Sequence, residues 1–397
     1  MKRAIILGVI ASLILNGTTS SAFSINKLNQ DNSKNNIIII DEDYFDSIKD
    51  KINVNILDRN NIIPYTNIDN ESTGERIYGV NYNDFSSKEN VKKQAKQLID
   101  DDENVYLYGQ DLDIQVIENQ LDIDIDGYDA KEEAAKGGDI SPIQESKWNI
   151  IGIENGTATY FAHLQSYDYD DNAIEPKLDT YIDVIANGKD NLKGNTSDIA
   201  ILSANETVYS EYDLNDYLYK DDQWGNSILR AQLNADYIMY QNLSEDSDDT
   251  YDYFYLKNNV ELYTNSGKGC TGNNITVTHT LPFSSDELED WGPTSSSDDD
   301  TFTVSLPWGV AWTFNAYSNI DIETSGSQAN DTVTYEAYNH SLMGYYPFDD
   351  DNVRIQPGTA WASTGTYAGI NTEASAEVDY GVNTYSLSLS DDIRYQY

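Results

Sequence analysis

The chain has 397 residues and a formal net charge of −44, from 68 acidic against 24 basic side chains. A surface of that sign repels phosphate, which disfavours nucleic acid and anionic lipid as partners. One cysteine, Cys270, excludes an internal disulfide, so stability has to come from packing, with bound cations as an optional addition, rather than from cross-links.

At the amino terminus Lys2 and Arg3 precede an apolar run from Ala4 to Leu15 and a small-residue exit through Ala22, the three parts of an export signal. The run is shorter than the about 20 residues that a membrane-spanning helix needs. Residues 1–22 therefore read as a signal peptide and 23–35 as a flexible leader, and the expected location is secreted and extracellular, with no transmembrane segment. From Asn36 the pattern is that of a small α/β layer. Ile37–Ile40 suits a buried strand, Tyr44, Phe45, Ile48 and Ile52 fall at helical spacing, and Val54–Leu57 and Ile77–Val80 return to strand. A capping box from Ser86 to Glu89 opens a helix with Val91, Ala95, Leu98 and Ile99 inward, and Val105–Gly109 is the next strand.

Asn155-Gly156 supplies the two positive-φ positions of a type I′ turn. This gives a β-hairpin over 148–164, with Glu154 opposite Thr157, Gly152 opposite Thr159, Ile150 opposite Phe161 and Trp148 opposite His163. A strand is expected over Thr180–Ala186, after an acidic loop. The polar stretch from Asn187 to Asn195 has no apolar period and marks the domain boundary. Beyond it apolar residues recur every second position, at Leu229 to Met239, where Leu229, Leu233 and Tyr237 would also suit a helix, and at Ile275 to Leu281, Val333 to Ala337 and Tyr385 to Leu389. The expected fold is α+β in two domains: a small α/β domain over 36–190, carrying the hairpin, then an antiparallel all-β sandwich over 195–397.

Two alternations are long. Over Thr301–Glu323 the even positions are apolar, so a bent strand with an irregularity at Pro307–Gly309 is expected to bury Trp308, Trp312 and Phe314. Over Ala362–Val378 the even positions again share a face, which puts Trp361 and Tyr367 on the opposite, polar face; Tyr317 holds a similar position in the first alternation. Exposed Trp361, Tyr367 and Tyr317 among hydroxyls and carboxylates would form a platform for an extracellular protein or carbohydrate.

Asp122, Asp124 and Asp126, followed by Gly127 and closed by Glu133, match the spacing of a calcium-binding helix-loop-helix. Resemblance to that loop family makes Asp122, Asp124, Asp126 and Glu133 side-chain ligands and Tyr128 a carbonyl ligand. Asp129 stands where the family has an apolar residue, and the chain has no partner loop. No cofactor is required by the sequence, and calcium is the one cation it points to. His163, His279 and His340 match no metal spacing, and His279 shares the apolar face with Val277 and Leu281, as a core histidine would. No nucleophile elbow, zinc-protease or phosphate-binding motif is present.

The segments LPWGVAWTFNAYSNIDIETSGSQANDTVTY and PGTAWASTGTYAG are similar to secreted proteins of Gram-positive bacteria that lack an assigned activity. That resemblance implies export and a bacterial source, and no catalytic residues. Acid spread through every segment fits halophilic adaptation. The expected function is non-catalytic binding or surface interaction. The alternatives are a carboxylate-based extracellular hydrolase and a pore-forming protein that inserts 362–378 as a β-hairpin.

Overall fold

The computed structural model of the protein describes residues 35–39, 60–64, 76–110, 112–123, 148–192, 205–207, 212–242, 250–294, 301–305, 311–315, 320–341 and 344–397. In chain order the strands are β1 (Asn35–Ile39), β2 (Asn60–Pro64), β3 (Arg76–Asn81), β4 (Asn104–Tyr108), β5 (Ile150–Glu154), β6 (Thr157–Tyr167), β7 (Asn205–Thr207), β8 (Tyr212–Asp221), β9 (Ser227–Asn242) and β10 (Asp252–Thr264). They continue with β11 (Cys270–Thr280), β12 (Asp286–Gly292), β13 (Thr301–Ser305), β14 (Ala311–Asn315), β15 (Asp321–Ser327), β16 (Thr332–Ser341), β17 (Gly344–Tyr346), β18 (Asn352–Ile355), β19 (Gly358–Ser363), β20 (Tyr367–Tyr380) and β21 (Asn383–Gln396). Among the described residues the α-helices are α1 (Tyr82–Ser87), α2 (Glu89–Asp100), α3 (Ile114–Leu121) and α4 (Leu178–Leu192).

Thirteen strands form one sheet in the order β12-β19-β10-β9-β8-β6-β5-β4-β3-β1-β2, with β18 also on β10 and β7 on β9. A six-stranded sheet, β15-β16-β11-β20-β21 with β17 on β16, packs against it. The inner faces meet through Leu214 and Leu218 of β8, Leu233 of β9, Val260 and Leu262 of β10, Ile275 and Val277 of β11, Ile370 and Val378 of β20, and Leu387 and Leu389 of β21, all buried in one cluster. Fully burying such a side chain stabilises by roughly 1.5–3 kcal/mol, so this seam dominates the fold. Close approach is enforced at Gly272, where a Cβ would lie 2.7 Å from Leu262 Cδ2.

Several expectations are corrected. Among the described residues strand accounts for 59% and helix for 16%, and the amino-terminal elements do not make an α/β domain of their own. β3, α2 and β4 do form a parallel crossover, with Val91, Ala95, Leu98 and Ile99 buried as expected. Their sheet nevertheless runs on through β5, β6 and the parallel β6–β8 pair into the sandwich, and Val105 and Leu107 share its buried cluster. Hydrophobic period shows that a strand is buried and leaves its lateral neighbour open, so it cannot distinguish a self-contained layer from one end of a longer sheet. The 180–186 segment is helix within α4: Leu178, Tyr181, Ile182 and Ile185 give the helical period alongside the alternation of Ile182, Val184 and Ala186. α2 begins without the capping box, since Ser86 and Ser87 donate back to the Asn83 carbonyl and Lys88 is the residue preceding the helix.

The 148–164 hairpin forms, with Glu154 opposite Thr157 at the Asn155-Gly156 turn. A bulge at Gly152–Ile153 shifts the rest by one, so Gly152 faces Tyr160 and Ile150 faces Ala162. The 301–323 alternation is not one bent strand. β13 and β14 fold back on each other in a two-stranded sheet, with Phe302 opposite Phe314 and Val304 opposite Trp312, and the chain resumes with β15 in the six-stranded sheet. The 362–378 alternation is likewise broken: β19 belongs to the large sheet and β20 to the smaller one. The export signal, the helix at 44–52 and the strand at 54–57 lie outside the described residues.

Candidate functional site

Two loops at one end of the sandwich are built alike. Asp168-Tyr169-Asp170-Asp171-Asn172 comes after β6, and Asp222-Gln223-Trp224-Gly225-Asn226 joins β8 to β9. In the first, Asp168 Oδ1 accepts from the backbone N–H groups of Asp170 and Asn172, each at 2.9 Å, and Asn172 Nδ2 donates to Oδ2 at 2.9 Å. In the second, Asp222 Oδ1 accepts from Trp224 and Asn226 N–H, each at 2.9 Å, and Asn226 Nδ2 donates to Oδ2 at 2.9 Å. A left-handed residue sits fourth in both, Asp171 at φ 66° and Gly225 at φ 80°. The turn is closed by a backbone bond from the first residue's N–H to the fifth residue's carbonyl. The Asn172 and Asn226 donors hold the Asp168 and Asp222 carboxyls below the usual carboxylate range, so both stay ionised and the loops stay locked in mild acid.

Each rigid loop presents a large ring outward. Tyr169 is 60% exposed and Trp224 is 78% exposed; with Val382, 99% exposed on the turn between β20 and β21, they are the exposed large hydrophobic side chains among the described residues. All three belong to one end of the molecule, because β6 and β8 are parallel neighbours with Tyr167 opposite Lys220. The loops are also tied together. Asp171 accepts from Asn383 Nδ2 at 2.8 Å and from the Tyr385 hydroxyl at 2.6 Å, and it pairs with Lys220. Lys177 donates to Asp221 at 2.6 Å and to the Gly225 carbonyl at 2.7 Å. Tyr167 meets Tyr385 edge-on at 5.0 Å, and Lys220 and Arg230 stand over the Tyr380 ring. We term this end the apex.

A second polar cluster lies on the outer face of the large sheet. Asn215 and Asn234 donate to Asp213 Oδ1, Gln232 donates to Asn215 and Tyr217, and the Tyr160 and Tyr217 hydroxyls meet at 2.9 Å. Burial raises both tyrosine pKa values. Asp213 and Asn215 are buried, and these groups hydrogen-bond one another. His163 Nδ1 lies 3.1 Å from Asp216, whose other oxygen accepts from Gln165 and from the Ser388 N–H of β21. That arrangement caps the edge of β21, whose Ser386 carbonyl also accepts from Gln165, and is a seam between the sheets.

The expected site residues fall elsewhere. Trp361 is 0% exposed and stacks on Phe254 at 5.8 Å, so it is core and no part of a platform. The break after β19 accounts for the difference: Trp361 lies on the inner face of the large sheet, a different sheet from Ala368 and Ile370. Tyr367 is half-buried at the start of β20, and Tyr317 lies outside the described residues. Asp122 ends α3 in the left-handed region with its side chain 3.8 Å from Lys96 Nζ, while Asp124, Asp126, Tyr128 and Glu133 lie outside the described residues. Among the described residues no cluster of three metal-ligating side chains occurs. Cys270 is buried and its thiol is pushed up to about 11 by burial. Trp224 escapes a periodicity argument because it lies in a turn; the spacing of Asp, Asn and an intervening aromatic in both loops is the signal that marks it.

No helix among the described residues is long and apolar enough to cross a membrane. No family model matches the sequence, and none of the curated proteins does. Among solved structures there is weak resemblance to Clostridium perfringens delta-toxin, at 8% identity and a TM-score of 0.28 over 50% of this chain and 92% of that one. The Clostridium perfringens NetB toxin in its membrane-inserted form gives 10% and 0.21 over 47% and 94%. The collagen-binding subdomain of the Enterococcus faecalis surface protein ACE gives 9% and 0.22 over 40% and 93%; at such values the likeness defines neither a shared fold nor a shared activity.

Proposed function

We propose that this protein acts by binding, as a secreted surface-interaction protein whose contact surface is the apex. The observation that carries the reading is the grouping of Tyr169, Trp224 and Val382, all strongly exposed, on loops that hydrogen bonds cross-link. Exposed aromatic rings on preordered loops supply contact area with little entropy left to lose on association. Asp286, whose carboxyl burial pushes up to about 7, is 1% exposed and offers no open acid to a substrate. The test is a panel of extracellular-matrix proteins, neutral glycans and lipid vesicles, probed with the wild-type chain and with Trp224→Ala. Binding to at least one class, weakened about tenfold or more in the variant, supports the reading. Equal binding by both proteins would remove the apex from it.

A second reading, insertion of a β-hairpin into membranes, is favoured by one observation. β13 and β14 form a two-stranded sheet bonded to neither large sheet, and paired positions match in character, Phe302 with Phe314, Val304 with Trp312 and Thr303 with Thr313. One apolar and one polar face in register is the pattern of a barrel wall. Release of a trapped dye from liposomes, abolished by Thr313→Pro, is the expected result; intact liposomes at saturating protein would end this reading.

A further inference from the structure

On the reading that the apex is the contact surface, the kind of partner it meets can be narrowed. Tyr169, Trp224 and Val382 stand on three separate loop tips, at 60%, 78% and 99% exposure. Each stands on its own turn and is open to solvent, unlike a side chain walled into a pocket. A small ligand is held by concave walls that take up most of its surface, whereas three exposed tips suit a broad, yielding partner. The side-chain types are specific: a tryptophan and a tyrosine, which prefer the boundary between hydrocarbon and water, and one aliphatic valine for the layer below.

Charge then selects among surfaces. The whole chain carries −44, which opposes approach to anionic lipid. At the apex Lys177, Lys220 and Arg230 lie beneath the tips, the first two paired with Asp221 and Asp171, while the carboxylates of Asp168, Asp170 and Asp222 stand in the tip loops themselves and Lys268 is exposed on the adjoining turn. Carboxylates in the tip loops, with the exposed Lys268 beside them, suit a headgroup that has both a quaternary amine and a phosphate. The amine can sit over the exposed Trp224 or Tyr169 ring through cation–π attraction. Rigid tips also enter an interface without first being ordered, because Asp168 and Asp222 already fix their backbones.

We infer that the apex is a docking surface for zwitterionic, choline-bearing lipid surfaces, with Trp224, Tyr169 and Val382 entering the interface. The test is co-sedimentation of the full chain with phosphatidylcholine vesicles, and with the same vesicles carrying added phosphatidylserine, at low salt. The wild-type chain should sediment with phosphatidylcholine. Trp224→Ala and Val382→Asp, both exposed-turn changes that leave the core intact, should each lower the partition coefficient about tenfold or more. Added phosphatidylserine should weaken the wild type. Sedimentation unchanged by both variants, or found only with phosphatidylserine, would overturn the lipid assignment. No sedimentation, together with Trp224-dependent binding to a glycan or protein, would overturn the lipid assignment and leave the apex reading standing. Sedimentation without dye release separates docking from hairpin insertion.

Discussion

His279 shows how much of the interior is settled by single polar groups. It is fully enclosed between the sheets, where Asn258 Nδ2 stands 3.3 Å from Nε2 and Thr359 Oγ1 stands 2.7 Å from Nδ1. Nε2 must therefore accept, Nδ1–H donates to Thr359, and Thr359 passes its own proton toward the Tyr335 hydroxyl, which donates to the Gly358 carbonyl. Burial pushes the imidazole pKa down to about 3, from 6.5. The unfolded chain thus binds the extra proton between those values, and stability falls as pH drops from 6.5 toward 3, by about 1.4 kcal/mol per pH unit. Asp286 has the opposite sign. Its folded pKa is raised to about 7 from 3.8 by burial, so the native state holds the proton and stability falls as pH rises from 3.8 to 7. The two slopes oppose each other over 3.8–6.5. Urea titrations at several pH values should show Asp286→Asn gaining stability relative to wild type as pH rises through that window, and His279→Gln gaining it as pH falls. Difference curves flat with pH would contradict both assignments. His279 was legible as core from its place beside Val277 and Leu281, whereas nothing in the residues around Asp286 announced its enclosure. That enclosure comes from Ser285 beside it and the Gly369 N–H of β20, brought in from a distant strand.

Among the elements, the paired turns carry the most consequence. Gly225 at φ 80° and the Asp222 carboxylate set the direction of Trp224. Gly225→Ala should destabilise by about 1 kcal/mol through backbone strain at positive φ. Asp222→Ala should leave the global melting temperature within a few degrees of wild type while weakening apex binding, since the ring is kept and only its presentation is loosened. A loss of global stability in Asp222→Ala without any loss of binding would show that the turn is structural alone. Elements with an unambiguous period were legible: β3, α2, β4 and the Asn155-Gly156 hairpin all formed. Those with two compatible periods were not, as at α4, where Leu178, Tyr181 and Ile185 and the alternate Ile182, Val184 and Ala186 coexist. Chain reversals inside a continuous alternation were also hidden. Trp361 and Ala368 sit an odd number of residues apart, yet both face the interior, because Thr364–Thr366 carry the chain from one sheet to the other.

At the scale of the molecule, one seam between a thirteen-stranded and a six-stranded sheet holds the strands that position the apex. β8 and β9 supply the Trp224 turn, β6 supplies Tyr169, and β20 and β21 supply Val382, so loops distant in sequence converge only when both sheets are in place. A fragment ending at residue 190 loses β8, the lateral neighbour of β6, and should not fold alone; cooperative thermal unfolding of that fragment would contradict the continuity of the sheet. Two-residue alternation foretold abundant strand, but the meeting of Tyr169, Trp224 and Val382 is a product of topology that no local pattern contains. The most direct measurement is amide hydrogen exchange on the full chain with and without the partner that binds it. Protection is predicted at 168–172, 222–226 and 380–383, with the inner strands unchanged. Protection confined to β13–β14 or to the outer face of β8 and β9, with the three loops unaltered, would contradict binding through the apex.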